Sequence, residues 1–413
     1  MKSIGKFLCN KWTIGSLLIV LFYGMCMVGI YFSGYKVVPS HLKDLPIAVV
    51  SQDSDSHALK KQLVRQLPFK HIKYNYSLKT AKTKLKNKKI YLIVNIPTNF
   101  QKKIINGKKT NLHFYVNEAN PMTAVSGMES VAKTVGATVE NKITKKRGEA
   151  IFTTVQLKQL KAQLAKAIKE APQQAKAIQA QGTVAERKLK KQADSLYNPK
   201  DGGVSYKLHK MNKVKSGMNH TMAPFFLALA FYIGSMIGAL VLYLAFSEFS
   251  QKIGKFKAYG MSELAILLIS VIAPVCILGI ATWLNNFSST EFMKLWLNHG
   301  LELFAAMNFN FIFNLLFGQL GIMFNVPIMM IQIVSGAGLI PKLILPGFFK
   351  FMSFISPTYY AIQADFGVLG NQVGIGQHLM SLIYLSVVIV IINLFIVMMK
   401  KYSKAVISEQ SLL

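Results

Sequence analysis

Arginine is almost missing from this chain: of 48 basic residues, only Arg65, Arg147 and Arg187 are arginine. Acidic residues are also few, 17 in 413, which leaves a formal net charge of +31. Charged residues together make up only 16%, while hydrophobic residues make up 52%. A soluble domain carries about 25% charged residues. Apolar bulk joined to a basic excess excludes an ordinary cytosolic enzyme and places much of the chain in lipid. Cysteine is scarce too: Cys9, Cys26 and Cys276 all lie outside the basic segment 35–221, so no disulfide framework or thiolate metal site can form there. Catalytic signatures are absent. There is no G-x-x-x-x-G-K-[ST] phosphate loop, and Gly107-Lys108-Lys109-Thr110 lacks the earlier glycine and reads as a basic turn. There is no G-x-S-x-G elbow. The histidines at 41, 57, 71, 113, 209, 220, 299 and 378 form no H-E-x-x-H and no i, i+4 pair. No catalytic, cofactor-binding or metal-ligating residue is therefore expected, and the chain is not expected to be an enzyme.

The charge that is present is unevenly spread. Residues 35–221 hold 36 Lys/Arg against 11 Asp/Glu, a net of +25, and the other 226 residues carry only +6. Uncharged runs mark the membrane segments: 12–35, 216–247, 264–290, 303–341 and 366–399. About 20 apolar residues cross a core of about 30 Å. The 39-residue run 303–341 would be roughly 58 Å long as one helix, so it is expected to fold into two spans. Gly318-Gln319-Leu320-Gly321 is the preferred turn and Asn325-Val326-Pro327 the rival. The first run follows Lys2, Lys6 and Lys11, is longer than a signal-peptide core and lacks an Ala-x-Ala site, so it reads as a retained anchor. The total is six spans.

Short basic flanks set orientation. Lys2, Lys6 and Lys11 precede span one, Lys252, Lys255 and Lys257 separate spans two and three, and Lys400, Lys401 and Lys404 follow span six. Six spans put all three clusters on one side. The termini are thus expected to be cytoplasmic, and residues 36–221 extracytoplasmic, in a multi-pass plasma-membrane protein. The inverted topology would set a basic domain against nucleic acid, but it requires reversing all three clusters, so no nucleic-acid partner is expected.

Within 44–118, strand-like and helix-like periods alternate. Ile47-Ala48-Val49-Val50, the alternating Ile72, Tyr74 and Tyr76, the apolar run Ile90–Val94 and Leu112–Val116 read as strands. Residues 57–67, 78–87 and a segment opened by Pro97 and Asn99 read as helices. The pattern predicts a small α/β domain. From 121 to 196 the chain is rich in Ala, Gln and Lys. Leu157, Leu160, Leu164 and Ile168 form one helical stripe, with Pro172 and Gly182 expected to interrupt it. This predicts a helical hairpin or stalk, either packing on itself or binding a partner. Asn198-Pro199 and Asp201-Gly202-Gly203 mark a loop back to the membrane. The expected fold class is an α-helical integral membrane protein with six transmembrane helices. An extracytoplasmic α/β domain plus helical hairpin is inserted between helices one and two. Its expected divisions are 1–35, 36–120, 121–221, 222–400 and 401–413.

Four sets of residues stand out in the apolar part. Ala230, Gly234 and Gly238 have the small-residue spacing that lets helices approach, inside one bundle or between subunits. Asn310 and Asn314 share a face of span four, suited to interhelical bonds or to a polar substrate path. Phe249, Ile253, Phe256 and Tyr259 recur at 4, 3 and 3 in the loop 247–262. They suit a short helix seated on a partner protein or side chains in the membrane interface with lysines near anionic lipid. The stretch 335–376 is apolar but broken by Pro341, Pro346 and Pro357. It reads as short helices at the outer membrane surface, a re-entrant hairpin or an amphipathic loop.

Several strings resemble the membrane subunits of type-2 ABC exporters, and among them the YhgE/Pip (phage infection protein) branch of Gram-positive bacteria. These are Ser335-Gly336 followed by Pro341, Pro346-Gly347-Phe348-Phe349, and Pro357-x-Tyr359-Tyr360-Ala361-Ile362. They are joined by Ala223–Ala230 with Gly234 and by Leu45–Val50 with Asp53. An Arg often follows the Tyr-Ala-Ile block; here that position holds Asp365. The resemblance implies a permease, homodimeric or heterodimeric, moving an amphiphilic or envelope-related substrate. A separate ATPase that holds the ATP would drive it by docking between spans two and three. Membrane lipid is a further expected partner. The +25 segment also suits anionic cell-wall polymer, and the competing reading is a non-transporting surface protein: a wall-polymer scaffold, secretion accessory or bacteriophage receptor.

Overall fold

The computed structural model describes residues 30, 34–35, 37–105, 108–170, 172–196, 204–215, 217–370 and 375–400. The expected first span lies almost wholly outside them, as do the loop 198–203 and the tail 401–413. The chain divides into two compact units. One comprises Pro46–Val116 and Gly127–Lys210; the other includes Asn117–Ser126 and Met211–Leu413.

The first unit is built on a five-stranded sheet: β1 (Ile47–Ser51), β2 (Ile72–Lys73), β3 (Leu92–Ile96), β4 (Thr110–Asn117) and β5 (Val204–Met211), in the order β2-β1-β3-β4-β5. β1 pairs parallel with β2 and β3, with Val49 opposite Val94, and β3 pairs antiparallel with β4, with Ile93 opposite Tyr115. β1 and β3 are buried almost throughout, as central parallel strands covered on both faces must be. Helices α1 (His57–Gln66), α2 (Leu78–Lys86) and α3 (Phe100–Ile105) follow the expected alternation. The crevice at the carboxyl ends of β1 and β3 is where open α/β sheets commonly hold ligands. Here Asp53 closes it, accepting hydrogen bonds from Ser56 Oγ at 2.5 Å and the Gln101 amide at 2.9 Å.

β5 corrects the sequence reading. Residues 204–211, which lie within the expected helical or stalk division 121–221, supply the fifth strand, so the sheet is completed only after the helical excursion. That excursion is α4 (Met122–Glu170), a turn at Pro172–Gln174 and α5 (Ala175–Leu196). Pro172 opens the break as expected, but Gly182 stays helical. A Cβ at Gly182 would lie 2.8 Å from Leu164, so glycine here serves close helix approach. Leu157, Leu160, Leu164 and Ile168 are all half-buried.

The second unit is helical: α6 (Ala223–Ile253), α7 (Lys255–Asn285), α8 (Ser289–Phe317), α9 (Gly321–Ser335), α10 (Gly347–Met352), α11 (Pro357–Leu369) and α12 (Ile375–Met399). α8 is the hub, packing against α6, α7, α9, α11 and α12. Its start is set by a capping box: Ser288 Oγ accepts from the Glu291 amide, and Glu291 Oε2 accepts from the Ser288 amide. Glu291 thus belongs to the helix cap rather than to a loop. Four described stretches are long and apolar enough to cross a membrane: Ala223–Ile253, Lys255–Asn285, Ser289–Ser335 and Ile375–Met399. Ser289–Ser335 folds back at Gly318–Leu320, the preferred turn. Asn325 Nδ2 donates to the Asn310 carbonyl at 3.1 Å, Phe324 stacks on Phe317 at 4.4 Å, and a Cβ at Gly321 would strike Asn314. α8 and α9 therefore run antiparallel, and the rival breaker Pro327 sits inside α9. At 15 residues α9 is about 22 Å long.

Polarity in this unit is inside out. Leu268, Ile272, Ile280, Trp283, Val388 and Ile391 are exposed, whereas Ser262, Ser270, Asn298, Glu302, Asn310 and Asn393 are buried. Such a distribution suits a lipid exterior around a polar interior.

Between α9 and α12 the Pro-broken stretch resolves into α10, α11 and two tight turns. Gly336 has an ordinary helical φ of −60°, and the left-handed residue is its neighbour Ala337. What Gly336 provides is proximity: a Cβ there would stand 2.9 Å from Ile362 and 3.3 Å from Thr358, both on α11. Gly336→Leu is expected to cost about 1–3 kcal/mol by overpacking and to lower the melting temperature in detergent by several degrees. Gly279→Leu, where a Cβ meets nothing within 4 Å, should leave it unchanged. Equal melting of both variants would show that α9 and α11 do not meet at Gly336.

Candidate functional site: a buried polar core around α8

The centre of the helical unit holds three ionisable side chains with no solvent exposure: His299 and Glu302 from α8 and Asp365 from α11. His299 and Glu302 are one helical turn apart, so they share a face, and His299 Nδ1 lies 2.7 Å from Glu302 Oε2. The other ring nitrogen, Nε2, faces Asp365 Oδ2 at 3.1 Å, in ion-pair contact but off hydrogen-bond alignment. Asn298 Nδ2 donates to Asp365 Oδ1 at 2.7 Å and to the Ala361 carbonyl at 2.9 Å. Phe231 of α6 stacks on the His299 ring, centroids 4.4 Å apart and planes 16° apart. One histidine thereby ties three helices together. Both its nitrogens are committed to carboxylates, which leaves no lone pair for a cation. Among the described residues no cluster of three His, Cys, Asp or Glu suits a metal.

A second polar layer lies one to three turns further along α8. Asn310 Nδ2 donates to Ser235 Oγ on α6 at 3.1 Å and to the Ala306 carbonyl at 2.8 Å. Asn308 accepts from Asn393 Nδ2 of α12 at its carbonyl and its side-chain oxygen, both at 3.0 Å. Gln332 Oε1 on α9 accepts from Ser356 Oγ at 3.2 Å. These bonds join α6, α9, α11 and α12 to their neighbours by polar contact, in addition to apolar clusters such as Tyr243, Phe246, Tyr259 and Phe311.

A third layer closes one end of the bundle. Lys255 Nζ donates to the Met398 and Lys400 carbonyls at 2.7 and 3.2 Å, and Lys400 Nζ to the Leu315 and Leu316 carbonyls at 2.7 and 2.6 Å. The last carbonyls of α8 and α12 have no partner within their own helices, and cations there also oppose the helix dipole. The α6–α7 junction, the α8–α9 turn and the end of α12 thus gather at one end.

The residues singled out in the sequence fare differently. Asn310 is bonded as above, while the buried amide of Asn314 makes no side-chain hydrogen bond in this structure and lies against Gly321. Of the small residues, only Gly238 packs within the described bundle, 3.3 Å from Met307 for an added Cβ. Ala230 is exposed and a Cβ at Gly234 meets nothing within 4 Å among the described residues. The expected separate helix at 247–262 does not exist: α6 and α7 meet directly at Gly254, whose φ of +90° ends one helix and starts the next. That kink splits the expected apolar face. Phe249, Ile253 and Phe256 are exposed, but Tyr259 is buried and donates to the Val390 carbonyl at 3.0 Å. Ser335 and Pro341 are buried, Pro346 precedes α10, and Pro357 occupies the first turn of α11, where its missing N–H costs nothing. Tyr359 is half-buried beneath Lys342 Nζ, which stands 4.4 Å from its ring. His299, Glu302 and Asp365 were missed as a set. Asn298, His299 and Glu302 were legible as polar groups in an apolar helix, and Asp365 as the departure from the family's basic position. Only the tertiary fold brings them together.

A helical bundle with a lipid-suited exterior, a buried polar core and one lysine-closed end is an integral membrane protein. The sequence model of the ABC-2 family transporter proteins matches residues 11–397. The chain therefore belongs to the ABC-2 transporter family, a match that supports a permease subunit of an ABC exporter and implies a partner ATPase in general. No curated protein and no solved structure matches the chain.

Breaking one partner of a buried ionic cluster strands the rest, whereas replacing the whole cluster by apolar groups is often neutral. Asp365→Leu is expected to destabilise by about 3–5 kcal/mol. The triple variant His299→Leu, Glu302→Leu, Asp365→Leu should recover most of that loss, read as melting in detergent by size-exclusion. A triple variant no more stable than the single one would show that the cluster is not an ionic unit.

Proposed function

We propose that the chain is the membrane-spanning subunit of an exporter for an amphiphilic or envelope-related substrate, energised by ATP bound on a separate ATPase and holding no cofactor itself. The chain-long family match carries this reading. The end of the bundle closed by Lys255 and Lys400 faces the cytoplasm in this proposal. The positive-inside rule supports that side, and the gathering there of the α6–α7 junction, the α8–α9 turn and the end of α12 agrees with it. Residues 36–221 then lie outside the cell. The ATPase seats on the exposed side chains Phe249, Ile253 and Phe256 beside Gly254, and a second permease subunit covers the face of α6 that carries Ala230 and Gly234. The polar core around α8 is the hinge against which α9 and α11 move during the cycle, with Asn314 on the substrate's route.

Two measurements test this. In a chain with Cys9, Cys26 and Cys276 replaced, Lys60→Cys should react with an impermeant thiol reagent on whole cells, and Lys257→Cys only after permeabilisation. The reverse pattern overturns the orientation. Phe256→Asp, at an exposed position, should leave the protein inserted while ATPase copurification and export fall at least tenfold. Retention of both would move the docking surface elsewhere, and a native complex without any ATPase would end the permease reading in favour of a surface protein.

A further inference from the structure

One face of the β4–β5 ribbon in the α/β unit carries an unusual set of side chains. His113 Nδ1 of β4 and His209 Nε2 of β5 lie 2.7 Å apart. Tyr115 stacks on His209, centroids 4.5 Å apart and planes 14° apart. Lys82 of α2 stands over the Tyr115 ring at 4.6 Å. Lys207, two residues before His209, shares its face by strand alternation, and Lys82, Lys103 of α3 and Lys207 all act electrostatically on His113. No carboxylate is among the groups acting on either imidazole. The opposite face is different in kind: Leu112, Phe114 and Val116 are buried there, and Phe114 meets Tyr206 edge-on.

Three lysines around a histidine pair repel a divalent cation and favour an anion. The two imidazoles are half-exposed and hydrogen-bonded to each other, so at least one is neutral. Partial burial, then the neighbouring His209, Lys207, Lys82 and Lys103, hold the pKa of His113 below its usual value. Burial, then Lys207 and Lys82, do the same for His209. The site without a ligand is therefore short of protons at neutral pH, and a bound anion would restore them.

We propose that the face formed by His113, Tyr115, Lys207 and His209, with Lys82 and Lys103 at its rim, binds phosphate-type oxyanions and does so more tightly as the pH falls. The anion lies against the imidazoles and takes hydrogen bonds from both once each is protonated. Lys82, Lys103 and Lys207 supply attraction at any pH, and Tyr115 gives the ring platform that orients His209. The sign follows from linkage. Binding favours the protonated imidazoles, so it takes up protons, and affinity rises as the pH falls toward the lowered values of the free imidazoles.

The test uses the full-length protein in detergent and medium-chain inorganic polyphosphate, whose internal phosphates keep one charge each across the range. Titration calorimetry at pH 7.5 and 5.5 should show affinity at least about tenfold higher at the lower pH, since each proton taken up contributes up to about tenfold per pH unit. His113→Gln/His209→Gln should keep most of the binding at pH 7.5 and lose the gain at pH 5.5. Lys82→Gln/Lys207→Gln should weaken binding at both values, and more than the equal charge change Lys158→Gln/Lys161→Gln on α4. All variants are checked for an unchanged elution profile. Wild-type affinity that ignores pH, a histidine variant that keeps the gain, or histidine-dependent Zn²⁺ binding without polyphosphate binding would each overturn the proposal. Repeating the titration in nanodiscs of zwitterionic lipid and of phosphatidylglycerol identifies the source of the phosphate. Histidine-dependent weakening in the second assigns the site to a lipid headgroup; equal affinity in both assigns it to a soluble or polymer-borne phosphate.

Discussion

His299 meets nothing but protein. It sits on the hub helix of an inside-out bundle, and both of its ring nitrogens end against carboxylates, at 2.7 and 3.1 Å. Apolar side chains face outward around the bundle, so the buried polar groups of α8 look inward, several of them to partners on neighbouring helices. That requirement sets the arrangement: Asp365 brings in α11, Ser235 and the Phe231 ring bring in α6, Asn325 brings in α9 and Asn393 brings in α12. Apolar packing alone would hold these helices together without choosing their rotation. The polar pairs choose it.

Such an interior suits a moving part as well as a stable one. Bonds that run between helices can break at one helix while those at the others stay made, and the His299–Glu302 pair lies within α8 itself. Here α11 is joined to α8 through Asp365 and Asn298, and to α9 through Ser356–Gln332 and the close approach at Gly336. Displacing α11 would expose two carboxylates and an imidazole at once, and anything that neutralised them would ease the motion. The lysine-closed end is built on the opposite logic. Lys255 and Lys400 are fixed on the terminal carbonyls of α8 and α12, which ties the α6–α7 junction to the far end of the chain. The exposed side chains beside Gly254 are thereby joined to the hub helix by a short path of hydrogen bonds.

The α/β unit belongs to another physical regime. Its core is the apolar interior of two buried parallel strands, its positive charge lies on the surface, and the crevice where such sheets usually hold ligands is already closed by Asp53. Charge accumulates instead on the β4–β5 ribbon. β5 arrives from the far side of a helical excursion of more than 70 residues, so that ribbon exists only because the excursion returns to the sheet.

Local chemistry carried much of this into the sequence. Strand and helix periods over 47–117, the turn at Gly318–Leu320 and the break at Pro172 follow from alternation, glycine and proline, which act within a few residues. The apolar runs identified the membrane helices for the same reason, since lipid demands a contiguous stretch. What stayed illegible was pairing over distance. β5 went unseen because a polar edge strand has no apolar signature of its own. Gly182 looked like a break because its purpose, room for Leu164, lies on another helix. Phe249 and Ile253 lost their register with Phe256 and Tyr259 because one glycine, Gly254 with a φ of +90°, ends α6 between the two pairs. Above all, Asp365 read as a departure from a familiar pattern until the fold placed it against His299. The sequence by itself determined which described helices are apolar enough to enter lipid and four of the sheet's five strands, because those choices depend on near neighbours. Only the tertiary structure decided which buried charges meet, because a carboxylate on one helix and an imidazole 66 residues earlier are matched by packing geometry, which no local pattern records.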